Sequence, residues 1–319
     1  MTGHREALPQ LGGRLFLTDG GIETSMIAFE GIGLREFAVF PLLMEPRGEQ
    51  ALRRYFRAYA ELAGRFGLGL VLESATWRAS ADWGAVLGFG REALAEANRL
   101  GVEMLEHVRA GREGDAPPLV ISGCVGPRRD GYDPAEAMSA DEAEAYHLAQ
   151  VATFAGTAAD MVTALTLTSV EEAVGVTRAA AAAGVPVAIS FTVETDGRLA
   201  SGPSLEEAVE AVDAATAAYP GYYMVNCAHP SHFGPSLVAG ERWTARVRGV
   251  RANASRLSHA ELDALPAPDP GEPAELAREY VALKRRLPQL TIFGGCCGTD
   301  HRHLEQIAAA LTSRFGDGA

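Results

Sequence analysis

The sequence predicts an α/β protein that folds as a single domain, a (β/α)8 TIM barrel over residues 1–319, and three observations predict it. Eight short apolar runs alternate with longer stretches rich in Ala, Glu, Leu and Arg. The runs are almost continuously apolar, which is typical of parallel strands buried on both faces. Eight repeats of strand and helix favour closure into a barrel, and no Gly-x-Gly-x-x-Gly turn follows the first run to favour an open doubly wound sheet.

The predicted strands are rich in Val, Ile, Leu and Phe, and their lengths suit the strands of a barrel. Most of them end at or just before Gly, Thr, Ser or Asn, residues that are typical of the turn after a strand. The eight predicted strands are 15–18, 69–73, 119–122, 161–165, 185–191, 222–226, 247–252 and 290–293.

The stretches between the strands predict helices. Two of them begin with Ser139 before Glu142 and with Ser204 before Glu207, the spacing of a capping box at a helix start. The irregular stretch 253–273 predicts a loop with a short helix after the seventh strand. The predicted helices are 47–65, 91–110, 139–158, 169–183, 204–218, 234–243, 274–287 and 300–315.

Composition excludes several classes of partner. The chain carries 28 Lys and Arg against 41 Asp and Glu, a net charge of −13, which disfavours nucleic acid and anionic membrane surfaces. No uninterrupted apolar stretch is long enough to span a membrane, and no apolar signal core opens the chain. We therefore expect a protein of the reducing cytoplasm, where four cysteines do not predict disulfides. The sequence leaves both a monomer and a homo-oligomer open.

Three of the four cysteines follow predicted strands whose carboxyl ends meet at the mouth of the barrel. Cys227 follows the sixth strand, and Cys296 and Cys297 follow the eighth within a glycine-rich turn. Glycine allows the strand to break there, so the two adjacent thiols need not point to opposite faces. Three thiolates predict a zinc site with a fourth position open for a substrate thiol, which would lose its proton there. Simple packing is the alternative for each cysteine, and it is the interpretation favoured for Cys124.

Several motifs, in the same order along nearly the whole chain, resemble the homocysteine S-methyltransferase family. They are Thr18-Asp19-Gly20-Gly21 with Thr24, Glu73-Ser74-Ala75-Thr76-Trp77-Arg78-Ala79-Ser80, Val225-Asn226-Cys227 and Gly294-Gly295-Cys296-Cys297-Gly298-Thr299. The resemblance implies a zinc-dependent barrel that uses Cys227, Cys296 and Cys297 as metal ligands. It also implies two small-molecule partners, a homocysteine-like thiol and a methyl donor of the S-methylmethionine, S-adenosylmethionine or betaine type.

The resemblance further implies that Asp19 and the backbone of Gly20 and Gly21 hold the amino-acid end of the acceptor. A carboxylate suits an ammonium, and free N–H groups of a glycine turn suit a carboxylate. The other residues predicted to bind substrate are Thr24, Glu73, Thr76 and Asn226.

One position departs from the family pattern. The family usually ends its fourth strand with Glu-Thr, and that Glu contacts the amino group of the acceptor, but Leu165 stands there in this chain. Either Glu73, Glu23 or Glu194 compensates for the missing carboxylate, or the thiol substrate is not homocysteine.

The remaining predictions concern histidines and aromatic residues. His229 is an alternative metal ligand, and His259 is expected in a loop or at a helix start. His301 and His303 are expected to be exposed at the start of the last helix. Two interpretations are open for four aromatic residues, Trp77, Trp83, Tyr222 and Phe233. They could line a pocket for a cationic methyl donor, because ring faces attract cations, or they could pack in the core. Two other functions remain open: a zinc hydrolase on the same fold, and a barrel that only binds zinc or thiols.

Overall fold

A computed structural model describes residues 3–112, 116–129, 137–265 and 267–316. Eight parallel strands close into a barrel in which each strand pairs with its neighbours in sequence, and the last strand pairs with the first. The predicted TIM barrel is confirmed, although both ends of the range 1–319 lie outside the described residues. The strands are β1 Phe16–Leu17, β2 Gly69–Glu73, β3 Leu119–Val125, β4 Met161–Leu167, β5 Val187–Phe191, β6 Tyr222–Asn226, β7 Val247–Ala252 and β8 Ile292–Gly295.

Helices surround the barrel, and those predicted after the first five, the seventh and the eighth strands are confirmed. Two short helices, α1 and α3, were not predicted, and they lie in the loops that follow the first and second strands at the barrel mouth. The described α-helices are α1 Ile22–Ala28, α2 Pro46–Arg65, α3 Ala81–Leu87, α4 Arg91–Ala110, α5 Ala140–Ala155, α6 Val170–Ala183, α7 Leu205–Ala215, α8 Pro230–Phe233, α9 His259–Asp263, α10 Pro273–Arg286 and α11 His301–Phe315. None of them is both long and apolar enough to cross a bilayer.

The helix predicted over 234–243 is wrong. Within that range only Gly234–Ser236 is helical, as a 3-10 turn; the single turn α8 precedes it, and a second 3-10 turn, Thr244–Arg246, follows the range. Gly240 between them has φ +91°, a left-handed conformation that interrupts any α-helix.

The two faces of the sheet are packed differently. The outward-facing residues join the helices in one large apolar core, while a smaller cluster fills the inside of the barrel. At Gly249 the packing inside the barrel is tight, because a Cβ would lie 3.0 Å from Met224 Cγ and the methionine would have to shift. A filled barrel fixes the relative positions of the strand ends, which carry the site. The inner cluster consists of Phe16, Val71, Val120, Met161, Ala188, Tyr222, Met224 and Ile292.

Candidate active site

A cavity of about 560 Å³ opens at the carboxyl ends of the strands, a volume suited to a small-molecule site. One part of its wall carries three thiols, and another carries two carboxylates and one guanidinium. We call Cys227, Cys296 and Cys297 the thiol side, and Asp19, Glu73 and Arg251 the carboxylate side.

The thiol side brings the three cysteines of the predicted metal site together. Their Sγ atoms all lie within 4.8 Å of one another, and Cys227 Sγ is 3.5 Å from Cys297 Sγ. In the described part of the chain, this is the one group of three or more His, Cys, Asp or Glu side chains arranged to hold a metal ion. Cys124 lines the same cavity but does not belong to the cluster.

Backbone conformation and main-chain hydrogen bonds hold these cysteines. Cys227 has φ +55°, and its N–H donates to Arg251 O at 3.0 Å. Strand β8 ends at Gly295, so Cys296 and Cys297 lie beyond it, where the alternation of side-chain directions no longer applies. The Cys296 N–H donates to Ala252 O at 2.9 Å, and Cys297 O accepts from Ala254 N at 3.0 Å. The end of β7 therefore supports both cysteine-bearing turns.

The thiols interact so closely that their protonation is affected. A hydrogen bond with Cys227, together with burial, raises the pKa of the Cys296 thiol to about 12. The same causes, with the neighbouring Cys296, raise the pKa of Cys297. A metal cation would reverse this preference, because coordination favours the thiolate form. The donor set therefore fits a metal ion that prefers sulfur ligands.

The carboxylate side is built around Arg251, which the sequence analysis did not identify. Arg251 lies on β7, is 5% exposed, and reaches across the barrel mouth to strands β1 and β2. Its Nη2 donates to Asp19 Oδ1 at 2.7 Å, its Nη1 donates to Glu73 Oε2, and its Nε donates to Gly295 O at 3.2 Å. A charged residue near the end of an otherwise buried strand was the available signal, because such a charge requires partners.

Burial controls the ionisation of this group. It raises the pKa of Glu73 to about 7 and raises the pKa of Asp19, although Arg251 opposes both changes. The two carboxylates raise the pKa of Arg251, so the guanidinium stays charged. Burial also raises the pKa of Glu23, a half-buried residue of the cavity wall, to about 7. Three acidic side chains therefore lie near β1 and β2, where burial favours their protonated forms and Arg251 favours the ionised forms of Asp19 and Glu73.

Leu165 lies in the cavity wall on β4, 8% exposed, at an irregularity of the strand. Thr166 beside it has φ +64°, and Asn226 stabilises this conformation. The Asn226 Oδ1 accepts from Thr166 N at 2.8 Å, and its Nδ2 donates to Thr166 Oγ1 at 2.9 Å. Asn226 also lies 3.9 Å from Cys296 Sγ, so it links the irregular end of β4 to the thiol side.

The other residues predicted to bind substrate differ in how they face the cavity. Gly20 and Thr24 line it, but the Gly21 N–H donates to Thr299 O at 3.1 Å, so it is not free for a substrate carboxylate. Gly21 instead permits close packing, because a Cβ there would lie 2.7 Å from Cys296 O. Thr76 is fully buried outside the cavity wall, where its Oγ1 donates to Cys124 O at 2.8 Å.

The aromatic donor pocket is not formed as suggested. Tyr222 belongs to the cluster inside the barrel, and Phe233 is fully buried in the outer core. Trp77 lines the cavity, but the Arg78 guanidinium lies over its ring at 5.0 Å and over the Trp83 ring at 3.9 Å. A cation of the protein itself thus occupies a face of each tryptophan.

Among the described residues, no histidine belongs to the cysteine cluster. His229 is buried, and burial lowers its pKa to about 4 while Nδ1 accepts from Ser231 N at 3.2 Å. His259 begins α9, as predicted, and lines the cavity. His301 is exposed as predicted, but His303 is fully buried because its ring contacts Pro270 O at 2.7 Å and the Asp300 that caps α11.

Fold and cavity define a TIM-barrel enzyme with a cluster of thiols at its mouth. The family model "Homocysteine S-methyltransferase" matches residues 16–311, and the chain belongs to that family. A methionine synthase from Mycobacterium leprae (strain TN) is 32% identical over 137 residues, a match that covers 42% of this chain and only 10% of that protein.

Solved structures show the same fold. The homocysteine methyltransferase MmuM from Escherichia coli, in its oxidized form, is 20% identical with a TM-score of 0.77, covering 98% of this chain and 100% of that one. Its metallated form is 18% identical with a TM-score of 0.74, covering 93% and 96%. The carboxyl transferase domain of Rhizobium etli pyruvate carboxylase is 15% identical with a TM-score of 0.53, covering 100% of this chain and 48% of that one. At these identities the likeness concerns the fold alone.

Proposed function

We propose that the protein is a zinc-dependent S-methyltransferase. It moves a methyl group from an activated donor of the S-methylmethionine, S-adenosylmethionine or betaine type to a thiol, and homocysteine, giving methionine, is the acceptor that the family indicates. The observation that carries the proposal is the convergence of Cys227, Cys296 and Cys297 at the wall of a cavity large enough for both small molecules.

Zn²⁺ is the ion that this donor set suits, because three thiolates leave one tetrahedral position for an acceptor. When bound, it would lower the pKa of the acceptor thiol and present the sulfur as a thiolate near neutral pH. The three cysteines would hold the metal, and the turns after β6 and β8 fix the positions of their side chains. The main task of the protein is then to align donor and acceptor, and such alignment supplies a large part of the rate enhancement in reactions of two substrates.

The carboxylate side lies along the same cavity. Asp19 and Glu73 are the groups that would receive a positively charged end of the acceptor, and Gly20 and Thr24 complete that part of the wall. The closely spaced thiols require a reducing environment, so we keep the cytoplasm as the expected location.

A second function is favoured by one observation, Leu165 in the wall where the family carries a carboxylate. If the charge on the carboxylate side cannot replace that group, the barrel would bind a different thiol, or would bind zinc and thiols without turnover. A zinc hydrolase gains no support, because the cluster found in the described residues consists of cysteines and has no His or carboxylate ligand.

Replacement of single cysteines tests the proposal. Purified protein is expected to contain about one zinc per chain, and Cys227→Ser, Cys296→Ser or Cys297→Ser each removes the zinc and methyl transfer to homocysteine. Cys124→Ser is the matched control, since Cys124 lines the same cavity outside the cluster and should leave the metal content unchanged. Metal analysis is combined with a screen of the three donor types. Full turnover by metal-free protein would refute zinc dependence, and tight thiol binding without turnover would favour the second function.

A further inference from the structure

Asp19 and Glu73 share one buried cation, and this arrangement bears on which thiol the site accepts. The inference rests on the proposed function, since it concerns the acceptor of that same site. Both carboxylates line the cavity, at 3% and 4% exposure, and Arg251 lies between them. One guanidinium balances only one of two ionised carboxylates, so the ionised group has an excess negative charge next to the cavity.

The carboxylate oxygens are not equally engaged. Asp19 Oδ1 accepts from Arg251, and Asp19 Oδ2 accepts from the Tyr55 hydroxyl at 3.0 Å. Glu73 Oε2 also accepts from Arg251. Glu73 Oε1 is buried and has no hydrogen-bond partner among the described residues. A buried carboxylate oxygen without a partner is costly, so it suits a donor brought by a ligand.

The other acidic candidates fit less well. Glu194 does not line the cavity. Glu23 does, but it lies on α1, is half-buried, and takes no part in the Arg251 bridge. Leu165 gives the β4 part of the wall an apolar side chain. Compared with the family pattern, the carboxylate available to the acceptor therefore lies on β2 and not on β4.

We propose that Glu73 Oε1 binds the α-ammonium of the acceptor and so replaces the carboxylate that Leu165 lacks. Arg251 is a positioning residue, because it holds Glu73 Oε2 from β7 and leaves Oε1 as the carboxylate oxygen without a partner. The acceptor is accordingly an α-amino thiol, and removal of its amino group removes a charged hydrogen bond.

Thiol binding can be measured without turnover by loading the protein with Co²⁺ and following the sulfur-to-cobalt absorption. Homocysteine and its des-amino analogue, γ-mercaptobutyrate, are titrated in parallel. The native protein should prefer homocysteine by about 10- to 100-fold, the usual value of a hydrogen bond to a charged group. Glu73→Gln should abolish the preference while leaving cobalt content and affinity for γ-mercaptobutyrate within about twofold. Arg251→Lys should reduce the preference in the same selective way, since lysine cannot form the planar bridge.

Glu23→Gln is the matched control and should retain the preference. Loss of the preference in Glu23→Gln but not in Glu73→Gln would assign the ammonium to Glu23 and overturn the proposal, as would equal weakening of both thiols by Glu73→Gln. If Glu73→Gln does not fold, the native protein still decides: equal affinity for the two thiols overturns the ammonium contact and leaves the proposed function intact. A cobalt spectrum that no thiol changes would overturn the proposed function itself.

Discussion

The thiol side and the carboxylate side face the same cavity but are held in place in different ways. The cysteines lie in two turns, and main-chain hydrogen bonds from the end of β7 fix those turns. Asp19 and Glu73 lie at the ends of β1 and β2, and a single side chain from β7, Arg251, fixes both. Main-chain hydrogen bonds thus hold one side, and a buried ion pair between side chains holds the other.

This difference separates the cysteine positions, which are fixed by the backbone, from the charged side chains, whose arrangement single substitutions can change. A backbone-built cluster of donor atoms tolerates little change, because each thiol position depends on the path of the chain. A charge network of side chains can be rearranged by single substitutions, and Leu165 on β4 is one such change from the family pattern. The two sides should therefore respond differently to substitution, and three predictions test this.

The largest expected effect is on the carboxylate side. Arg251→Met leaves two buried carboxylates without their cation and should lower the free energy of unfolding by about 3–5 kcal/mol at pH 7. Urea denaturation with a far-UV signal measures it. The double variant Arg251→Met/Glu73→Gln removes one of the two uncompensated charges, so its free energy of unfolding should fall by less than that of Arg251→Met. A loss below about 1 kcal/mol for Arg251→Met would show that the ion pair is not what holds this side together.

The second prediction concerns the backbone of the thiol side. Gly298 has φ +77°, and a Cβ there would lie 2.3 Å from Asp269 O, so Gly298→Ala must shift the turn that carries Cys296 and Cys297. We expect about 2 kcal/mol of strain, seen as a roughly 30-fold loss of metal affinity in competition with a chelator. Gly31→Ala is the control, because Gly31 has φ +63° with nothing within 4 Å. Equal metal affinities for the two variants would contradict the prediction.

The smallest effect is a pH dependence of acceptor preference. Burial raises the pKa of Glu73 to about 7, Arg251 opposes that rise and Asp19 adds to it. Only ionised Glu73 attracts an ammonium, so the affinity ratio of homocysteine to γ-mercaptobutyrate should rise as pH increases from 6 to 8, by up to about tenfold. The ratio cancels the proton that both thiols release, and the cobalt titration measures it. Glu73→Gln should make the ratio constant, whereas a constant ratio in the native protein would contradict the assignment.

The fold and the cysteine cluster could be predicted because their signals are local. Continuous apolar strands predict a parallel sheet, and the turn residues after the sixth and eighth strands place Cys227, Cys296 and Cys297 at one end of it. The failed helix over 234–243 shows where local signals mislead: Gly240 takes a left-handed conformation that composition does not reveal. Thr76 was expected at the substrate, but its hydroxyl is used to join β2 to β3.

The sequence by itself determined the barrel and the three thiols at its mouth, because apolar periodicity and turn residues act over a few positions, and its motifs carried the resemblance to the family. Only the tertiary structure decided which charges meet in the cavity. Arg251 is separated from Asp19 by 232 residues and from Glu73 by 178, and no local pattern joins them. Barrel closure brings these residues within hydrogen-bond distance, and burial then makes their pairing necessary, since an isolated charge in that environment is unstable.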